Sequence, residues 1–161
     1  MDADGCAEWL GEARAVGGEL RGVARVVDVG VDWVQSVTAV PASYRGPLRV
    51  IHNDLKAEHL LTDSASGRLV GLIDWTDAAL GDPALDFIGF LPWRGRVFLE
   101  AVLRSYEPAV DASFRARIAF LSRVVSLVWL HEAVQQQSDC QKHIQWVARA
   151  FAGSESLQQG V

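Results

Sequence analysis

The feature that most constrains the fold is a segment of short apolar runs, each followed at once by ionisable residues: "VIHNDLKAEHLLTDSASGRLVGLIDW", Val50 to Trp75. Short runs rich in branched aliphatic residues, separated by polar and glycine clusters, are typical of strands joined by loops. Leu48–Ile51 predicts a buried strand, and His59–Thr62 with Arg68–Asp74 predicts a hairpin whose turn is "DSASG". A folded hairpin of this kind could bring the ionisable residues together at one edge.

The sequence before this segment has the apolar spacing of helices. Residues Cys6–Val40 contain no proline and predict one or two helices, interrupted near the paired glycines Gly17 and Gly18. "PASYRGP", from Pro41 to Pro47, has a proline at each end and predicts a loop. The first part of the chain is therefore predicted to be helical and to lead through a loop into the strands.

The second half of the chain is also predicted to be helical. "GDPALDF" predicts a turn that opens a helix, with Asp82 as the N-cap and Pro83 in the first helical position. From Arg94 onward apolar residues recur at helical spacing, and the last helix is expected to end before the polar tail "GSESLQQGV". The apolar stripes are Phe98, Leu99, Val102 and Leu103; Phe114, Ile118, Leu121, Val125 and Val128; and Ile144, Val147 and Phe151.

Length and composition narrow the class of protein. A chain of 161 residues without a linker suits a single domain, residues 1–161, for which this order of elements predicts an α+β, mostly helical fold. The net charge of −5 argues against nucleic-acid binding and favours a cationic ligand or a metal ion. The start of the chain is acidic, and no uninterrupted apolar run is long enough to span a membrane, so a cytoplasmic protein without membrane contact is expected.

The two cysteines, Cys6 and Cys140, are far apart in the sequence. They form neither a disulfide framework nor a metal-binding knuckle. We therefore predict two reduced thiols, as is usual in the cytoplasm.

Three ionisable residues of the strand-rich segment have the chemistry of a catalytic site. Asp54 follows the first strand, where a carboxylate can accept a proton from a hydroxyl within hydrogen-bonding distance. Asp74 ends the last strand of the predicted hairpin, where its carboxylate can bind a hard cation such as Mg²⁺. Considered alone, either aspartate is as well explained as a turn or cap residue, and His59 as a structural histidine.

The joint pattern is more specific than its parts. "VIHNDLKAEHLL" followed by "GLIDWTDAALGDPALDF" resembles the catalytic core of the aminoglycoside phosphotransferase family, which are kinase-like enzymes acting on small molecules. The catalytic-loop pattern H-x-D-x-x-x-x-N is matched by His52, Asp54 and His59. The family's metal-binding aspartate falls on Asp74, and its G-D-P-x-x-D element ends on Asp86.

One position departs from the family pattern, which usually has asparagine where this chain has His59. Aminoglycoside 2''-phosphotransferases and macrolide phosphotransferases resemble this chain in having histidine there. Imidazole is a softer ligand than an amide oxygen, whereas Mg²⁺ prefers oxygen. The similarity is strong from Leu48 to about Gly89, and it implies the C-terminal lobe of a protein-kinase-like fold with a hairpin that carries the catalytic loop.

The resemblance implies a role for each residue of the site. Asp54 would orient the hydroxyl of a small alcohol and accept its proton, while Asp74 and His59 would hold Mg²⁺ on the phosphates of ATP or GTP. His52 and Asp86 would support the site, Asp86 by accepting backbone N–H groups of the loop. The candidates for contact with a substrate, a cationic one included, are Asn53, Lys56, Glu58 and Asp77. Glu58 and Asp77 are as well explained as solvated loop charges.

Kinase-like enzymes bind nucleotide between two lobes, and the signals of the first lobe are not visible in this sequence. The only lysines, Lys56 and Lys142, do not precede the catalytic loop, and "VGGEL" at Val16–Leu20 opens a helical pattern instead of joining two strands. We therefore expect a C-terminal lobe that is inactive, or very slow, without a nucleotide lobe. Its uncovered surface is expected to associate in a homodimer or with a separate nucleotide lobe.

Two other functions are open at this point. The chain could be a non-catalytic domain of the same family that binds a cationic small molecule or a protein partner. A metal-dependent hydrolase built on Asp54, His59 and Asp74 is the third possibility, although the chain has no further ligand cluster such as H-E-x-x-H.

Overall fold

The strands found in the described part of the chain form two separate antiparallel pairs. The structure, a computed structural model, describes residues 41, 44–106 and 110–158, so the helices predicted within Cys6–Val40 lie outside the described residues, as does Cys6. In one pair the first strand is joined to the fourth, and in the other the second is joined to the third in a hairpin. The strands are β1 (Arg49–Ile51), β2 (Leu60–Thr62), β3 (Leu69–Leu72) and β4 (Ala79–Gly81).

The hairpin predicted from the sequence is confirmed, with shorter strands. Its turn is closed by the Asp63 N–H, which donates to the carbonyl of Arg68 at 2.9 Å, and by the carboxylate of Asp63, which accepts from the N–H and hydroxyl of Ser66. Gly67 has a φ of 67°, a conformation that glycine adopts without steric cost. β3 ends at Leu72, before the predicted limit at Asp74, because Asp74 itself has a φ of 63° that no strand can continue through.

The strand predicted at Leu48–Ile51 is present as β1, but the prediction that it is buried is wrong except at Ile51. Ile51 is buried, but Val50 is 72% exposed and lies opposite the exposed Leu80 in β4. Side chains alternate between the two faces of a strand, and among the described residues it is the face carrying Ile51 that turns toward the core. β4 is not predicted from the sequence, because three residues ending in glycine show no alternation to recognise.

Within residues 82–106 and 110–158, three α-helices follow the strands: α1 (Phe90–Arg104), α2 (Ala112–Gln135) and α3 (Gln141–Gln158). α1 begins before the predicted start at Arg94, since Pro92 is tolerated in a first turn, and it is kinked at Gly95, whose φ is 78°. α3 does not end before the polar tail as predicted but continues through most of it. Cys140, just before α3, carries a free thiol.

The predicted apolar stripes are confirmed as the core of the helical region. One buried cluster joins α1 to the first turns of α2 and includes Leu99, Leu103 and Ile118, and a second joins the rest of α2 to α3 through Val147 and Phe151. α2 is long and apolar enough to cross a membrane by length and composition alone, but 72% of its most apolar window is buried inside the protein. Burial of this extent is typical of the central helix of a core.

The turn between the strands and the helices is fixed by Asp82 and Arg117. Asp82 caps the 3₁₀ helix Pro83–Phe87 by accepting the Ala84 N–H at 3.0 Å, as predicted from the sequence. Arg117 of α2 donates to both oxygens of the same carboxylate, at 2.5 and 3.2 Å. This bidentate pair attaches the end of β4 to the helical core.

Candidate active site

The loop that follows β1 is held by the carboxylate of Asp86. Its two oxygens accept the backbone N–H groups of His52 at 3.0 Å and of Asn53 at 2.8 Å. Asn53 has a φ of 64°, a left-handed conformation that asparagine tolerates better than most residues. The chain therefore turns sharply after β1, and Asp54 lies just beyond the turn.

His52 connects this loop to the segment that follows β3. Its ring is buried, and Nε2 donates to the carbonyl oxygen of Ile73 at 2.8 Å, since a carbonyl can only accept. The ring packs against Trp75 and His59, with centroid distances of 4.7 and 5.6 Å. Its other nitrogen, Nδ1, is buried without a hydrogen-bond partner in the part of the chain that the structure describes. In this position His52 supports the two segments that carry Asp54 and Asp74.

His59 is oriented by the backbone of the same loop. It ends the short 3₁₀ helix Ala57–His59, is 7% exposed, and has Nδ1 at 2.8 Å from the carbonyl oxygen of Asp54. Nδ1 must carry the proton of this hydrogen bond, which leaves the lone pair of the neutral ring on Nε2. Nε2 lies 3.5 Å from Oδ2 of Asp74.

Asp54 is a partly exposed carboxylate beside a cation. Its Oδ2 lies 2.9 Å from Nζ of Lys56 and 3.6 Å from Nδ1 of His59. The hydrogen bond to Asp54 raises the pKa of Lys56, although desolvation acts in the opposite direction, so the ammonium group stays charged at neutral pH. A hydroxyl that approached Asp54 from solvent would therefore also meet this positive charge.

Asp74 is held by a hydrogen bond from a neighbouring side chain. The hydroxyl of Thr76 donates to Oδ1 at 2.9 Å, and this bond is the main cause of a lowered pKa of the carboxyl group of Asp74. Desolvation opposes the shift, and electrostatic attraction from the ring of His59, when that ring is protonated, and from Lys56 adds to it. The side chain is 52% exposed, so it is a solvent-accessible carboxylate that is ionised at neutral pH.

The structure brings Asp54, His59 and Asp74 together: one oxygen or nitrogen of each lies within 4.8 Å of the others. Of the four candidates for substrate contact, Lys56 touches this group through Asp54, and Asn53 forms the turn beside it. Glu58 and Asp77 are exposed and lie outside the group.

Two residues that orient the site are missing from the sequence-based interpretation. Thr76 holds the Asp74 carboxylate, and Trp75 covers the ring of His52 while its Nε1 donates to the carbonyl of Leu72 at 3.1 Å. A threonine placed shortly after an aspartate is a recognisable signal for a local side-chain hydrogen bond. No comparable signal in the sequence assigns Trp75 to His52.

The donor set fits a divalent cation. Two carboxylates offer hard oxygen ligands, and Nε2 of His59 offers a nitrogen whose ring is anchored through Nδ1 to a backbone carbonyl. Metal-bound histidines commonly have this second hydrogen bond, because it fixes both the tautomer and the direction of the ligand lone pair. Asp74 and His59 are therefore the residues that would hold the ion, with Asp54 beside them.

Comparison with known families gives a match over most of the chain. The family model of the phosphotransferase enzyme family matches residues 7–120, a span that contains the loop after β1, the hairpin and the Asp82 turn. The chain belongs to the phosphotransferase enzyme family. The resemblance seen in the sequence motifs is thereby confirmed.

A solved structure shares the fold of this phosphotransferase-family chain. It is the GDP complex of a point mutant of aminoglycoside 2'-phosphotransferase IIIa, with a TM-score of 0.57 and 22% sequence identity over 92% of this chain and 50% of that chain. The mostly helical fold with small antiparallel strand pairs is common to both. The phosphotransferase-family chain therefore spans about half the length of this relative.

A curated protein also matches part of the chain. YcbJ of Bacillus subtilis (strain 168), an uncharacterized protein, is 38% identical over 68 residues. The matched region is 42% of this chain and 22% of YcbJ.

Proposed function

We propose that the chain is the catalytic lobe of a small-molecule kinase, which transfers the γ-phosphate of ATP or GTP to a hydroxyl of an acceptor such as an aminoglycoside or a macrolide. The observation that carries the proposal is the convergence of Asp54, His59 and Asp74 within 4.8 Å in a member of the phosphotransferase enzyme family. Phosphoryl transfer depends on alignment and charge neutralisation more than on covalent help from the protein, and this group can supply both.

Asp54 is the proposed general base. Its carboxylate is reachable from solvent, and the Asp86 hydrogen bonds to the preceding backbone hold the turn that orients it. It would accept the proton of the substrate hydroxyl as the oxygen attacks phosphorus. Lys56, at 2.9 Å from Oδ2, would stabilise the negative charge of the substrate oxygen or of a phosphate.

Asp74 and His59 are the proposed metal ligands. A divalent cation bound there, Mg²⁺ by family resemblance, would neutralise charge on the nucleotide phosphates. Thr76 holds the Asp74 carboxylate in one direction and lowers its pKa, and the Asp54 carbonyl keeps Nε2 of His59 turned toward it. His52 and Asp86 would act as positioning residues: Asp86 holds the backbone of the loop, and His52 packs on the ring of His59 and binds the carbonyl of Ile73.

The proposal includes the architecture and the setting of the protein. The 161 residues would form a C-terminal lobe in which the β2–β3 hairpin carries the catalytic loop, in a cytoplasmic protein. The nucleotide lobe would come from outside these 161 residues, in the same or in another polypeptide, and association as a homodimer is the other proposed contact of the surface that the lobe would cover. Without it the phosphates would stay in water, where electrostatic stabilisation of the transition state is weak.

Transfer of labelled γ-phosphate from ATP and GTP to a panel of aminoglycosides and macrolides tests the proposal. The proteins are the 161-residue chain and the same chain preceded by the nucleotide lobe of a family member. We expect transfer by the extended protein, little or none by the chain alone, and a loss of about 10²–10⁴-fold in the Asp54→Asn form of the extended protein.

The other outcomes separate the alternatives. Robust turnover by the chain alone would show that the nucleotide lobe is not required. If aminoglycosides stabilise the chain against heat while Mg-nucleotide does not, and the extended protein is inactive, the function is that of a non-catalytic binding domain. Phosphoester hydrolysis with Mn²⁺ or Zn²⁺ that Asp74→Ala abolishes would instead identify a hydrolase.

A further inference from the structure

An open groove between α1 and α3 has a chemistry opposite to that of the chain as a whole. Its volume of about 470 Å³ is within the usual range for small-molecule sites, and it is lined by Trp93, Arg94, Trp146 and Arg149. None of these four residues is acidic, although the net charge of the chain is −5. The groove therefore offers aromatic surface and positive charge, whereas the composition alone favours a cationic ligand.

Both arginines of the groove are held in place by Trp93. The Cζ atom of Arg94 lies 4.6 Å from the centroid of the Trp93 ring, and Nη1 of Arg149 donates to the Trp93 carbonyl at 2.8 Å. Within residues 44–106 and 110–158, neither arginine forms an ion pair with a carboxylate. A guanidinium carries several N–H donors in a planar fork, so each arginine keeps donors for a ligand.

Trp146 belongs to a packed aromatic group on α2 and α3. Its ring meets the rings of Trp129 and His143 edge to face, at centroid distances of 5.6 and 5.1 Å. Nζ of Lys142 lies 5.4 Å from the centroid of the same ring, which adds a third positive charge beside the groove. Because these contacts hold the indole, it can stack on a planar ligand at little cost in its own rotational freedom.

Trp129 connects the groove to the loop that carries Asp54. A Cβ atom at Gly89 would lie 3.1 Å from the carbonyl oxygen of Leu55 and 3.7 Å from Cη2 of Trp129. Glycine at this position therefore lets the loop and the indole come close together without displacing either. Since Leu55 directly follows the proposed general base, two indole rings in contact, Trp129 and Trp146, lead from the loop to the groove.

We infer that the groove between α1 and α3 is a binding site for a planar aromatic anion, and that the acceptor of the proposed phosphoryl transfer is an alcohol of this class. Guanidinium groups pair with carboxylates through two parallel hydrogen bonds, and indole rings stack on aromatic ligands. The binding site stands independently, whereas the class of acceptor rests on the proposed function. It replaces the expectation of a cationic acceptor, because the arginines of the groove would repel an aminoglycoside.

Titration of the full ¹⁵N-labelled chain, followed by nuclear magnetic resonance at the indole N–H signals, measures binding in the absence of nucleotide. Three ligands share a hydroxymethyl-naphthalene and differ in one further substituent: a carboxylate, a carboxamide or an aminomethyl group. We expect the carboxylate to bind at least about tenfold more tightly than the carboxamide, as is typical when a hydrogen bond gains a charged partner. The aminomethyl compound, a cation, should bind most weakly.

Substitutions assign this preference to the groove. Arg94→Gln and Arg149→Gln should each remove most of the difference between carboxylate and carboxamide, because each replaces a charge by a neutral donor of similar reach. Arg104→Gln, at an exposed arginine near the other end of α1, is the matched control and should keep the difference. Equal binding of the carboxylate and the carboxamide, no binding of either, or a difference that survives both groove substitutions would overturn the inference.

The same three alcohols, offered to the chain preceded by a nucleotide lobe, test the class of acceptor. The alcohol oxygen would bond to the γ-phosphorus as the bond to the β–γ bridging oxygen breaks, with the proton passing to Asp54. We expect kcat/KM to be highest for the carboxylate, and Arg94→Gln to raise KM with little change in kcat, since it removes binding remote from the reacting atoms. Transfer to aminoglycosides but not to the carboxylate would refute this class of acceptor and leave the proposed function standing. Transfer to no acceptor, with binding of the carboxylate intact, would refute the proposed function and leave the binding site standing.

Discussion

The strand region, residues 48–81, and the helical region, residues 90–158, keep their shape by different means. The helical region buries its large apolar side chains, among them Leu99 and Ile118, in two clusters. In the strand region Val50, Val70 and Leu80 are exposed, and among the described residues every exposed large hydrophobic except Val97 belongs to this region. Polar contacts from Asp86 and His52 hold the strand region instead.

The two regions are therefore expected to differ in what they contribute: one mainly to the free energy of folding, the other mainly to the geometry of the site. Burial of apolar area is non-directional and supplies most of the free energy of folding, whereas hydrogen bonds contribute less but fix direction. The helical region is therefore expected to dominate the unfolding free energy. The contacts around Asp54, His59 and Asp74 are expected to determine where the donor atoms lie. Losing an exposed contact of this kind is expected to change the unfolding free energy little.

The largest expected effect is the loss of a buried side chain in the helical region. Leu99→Ala and Ile118→Ala should each lower the unfolding free energy by about 2–5 kcal/mol, because each removes contacts and leaves a cavity. Val50→Ala should change it by no more than about 0.5 kcal/mol, as is usual for an exposed residue. Urea unfolding followed by circular dichroism measures all three. An equal loss in Val50→Ala would mean that the strand region is also stabilised by burial.

The next largest effect is expected at the connection between the two regions. Arg117→Ala leaves the partly buried Asp82 carboxylate without its bidentate partner and should cost about 3 kcal/mol, the lower end for breaking such a pair. Arg115→Ala breaks a more exposed pair with Glu100 and should cost about 1 kcal/mol or less. The same urea titration compares the two variants. Equal losses of unfolding free energy would show that the pair of Arg117 with Asp82 is no more stabilising than the pair of Arg115 with Glu100.

Substitution of Asp86 is expected to lower the unfolding free energy less than Arg117→Ala but to disturb the loop of the site more. Asp86→Ala leaves two backbone N–H groups of the loop without their acceptor and should cost about 1–3 kcal/mol. Faster amide hydrogen exchange at His52 and Asn53 should accompany it. Asp86→Asn, which keeps one acceptor oxygen, should have an intermediate effect, and the exposed Asp77→Ala is the control. Unchanged exchange in Asp86→Ala would show that the loop is held by other contacts.

The smallest expected effect is a pH dependence at the start of α2. The backbone N–H of Phe114, followed by the hydroxyl of Ser113, lowers the pKa of Asp111. The ionised cap therefore contributes fully above the unfolded-state pKa, and its contribution disappears as the pH falls through the lower folded-state value, below about pH 4. Asp111→Asn, which can cap without titrating, should lose less stability on acidification than the unsubstituted protein. An identical dependence of the unfolding free energy on pH in the two proteins would contradict a stabilising role for the ionised Asp111 cap.

The sequence predicts the helical region better than the strand region for a physical reason. The stripes through Leu99, Ile118 and Val147 have the period of a helix, and that period decides which face is buried. The burial of a three-residue strand depends on what covers it, so the buried position predicted for Val50 is wrong and β4 is missed.

The residues of the site could likewise be predicted from the sequence, whereas the hydrogen bonds that orient them could not. Asp54, His59 and Asp74 are found by the spacing of a motif, and the structure brings them together. The bonds that orient them run from His59 to the carbonyl of Asp54 and from His52 to the carbonyl of Ile73. Every residue has a carbonyl, so these contacts leave no trace in the sequence.

The most direct test of the central claim, that one cation site is formed by Asp54, His59 and Asp74, is paramagnetic broadening of the amide spectrum of the ¹⁵N-labelled chain by substoichiometric Mn²⁺. We predict that broadening is confined to amides of the loop after β1, the 3₁₀ helix before β2 and the segment after β3, and that it disappears in Asp74→Asn. Broadening centred on the helices, or on only one of these segments, would contradict a shared site.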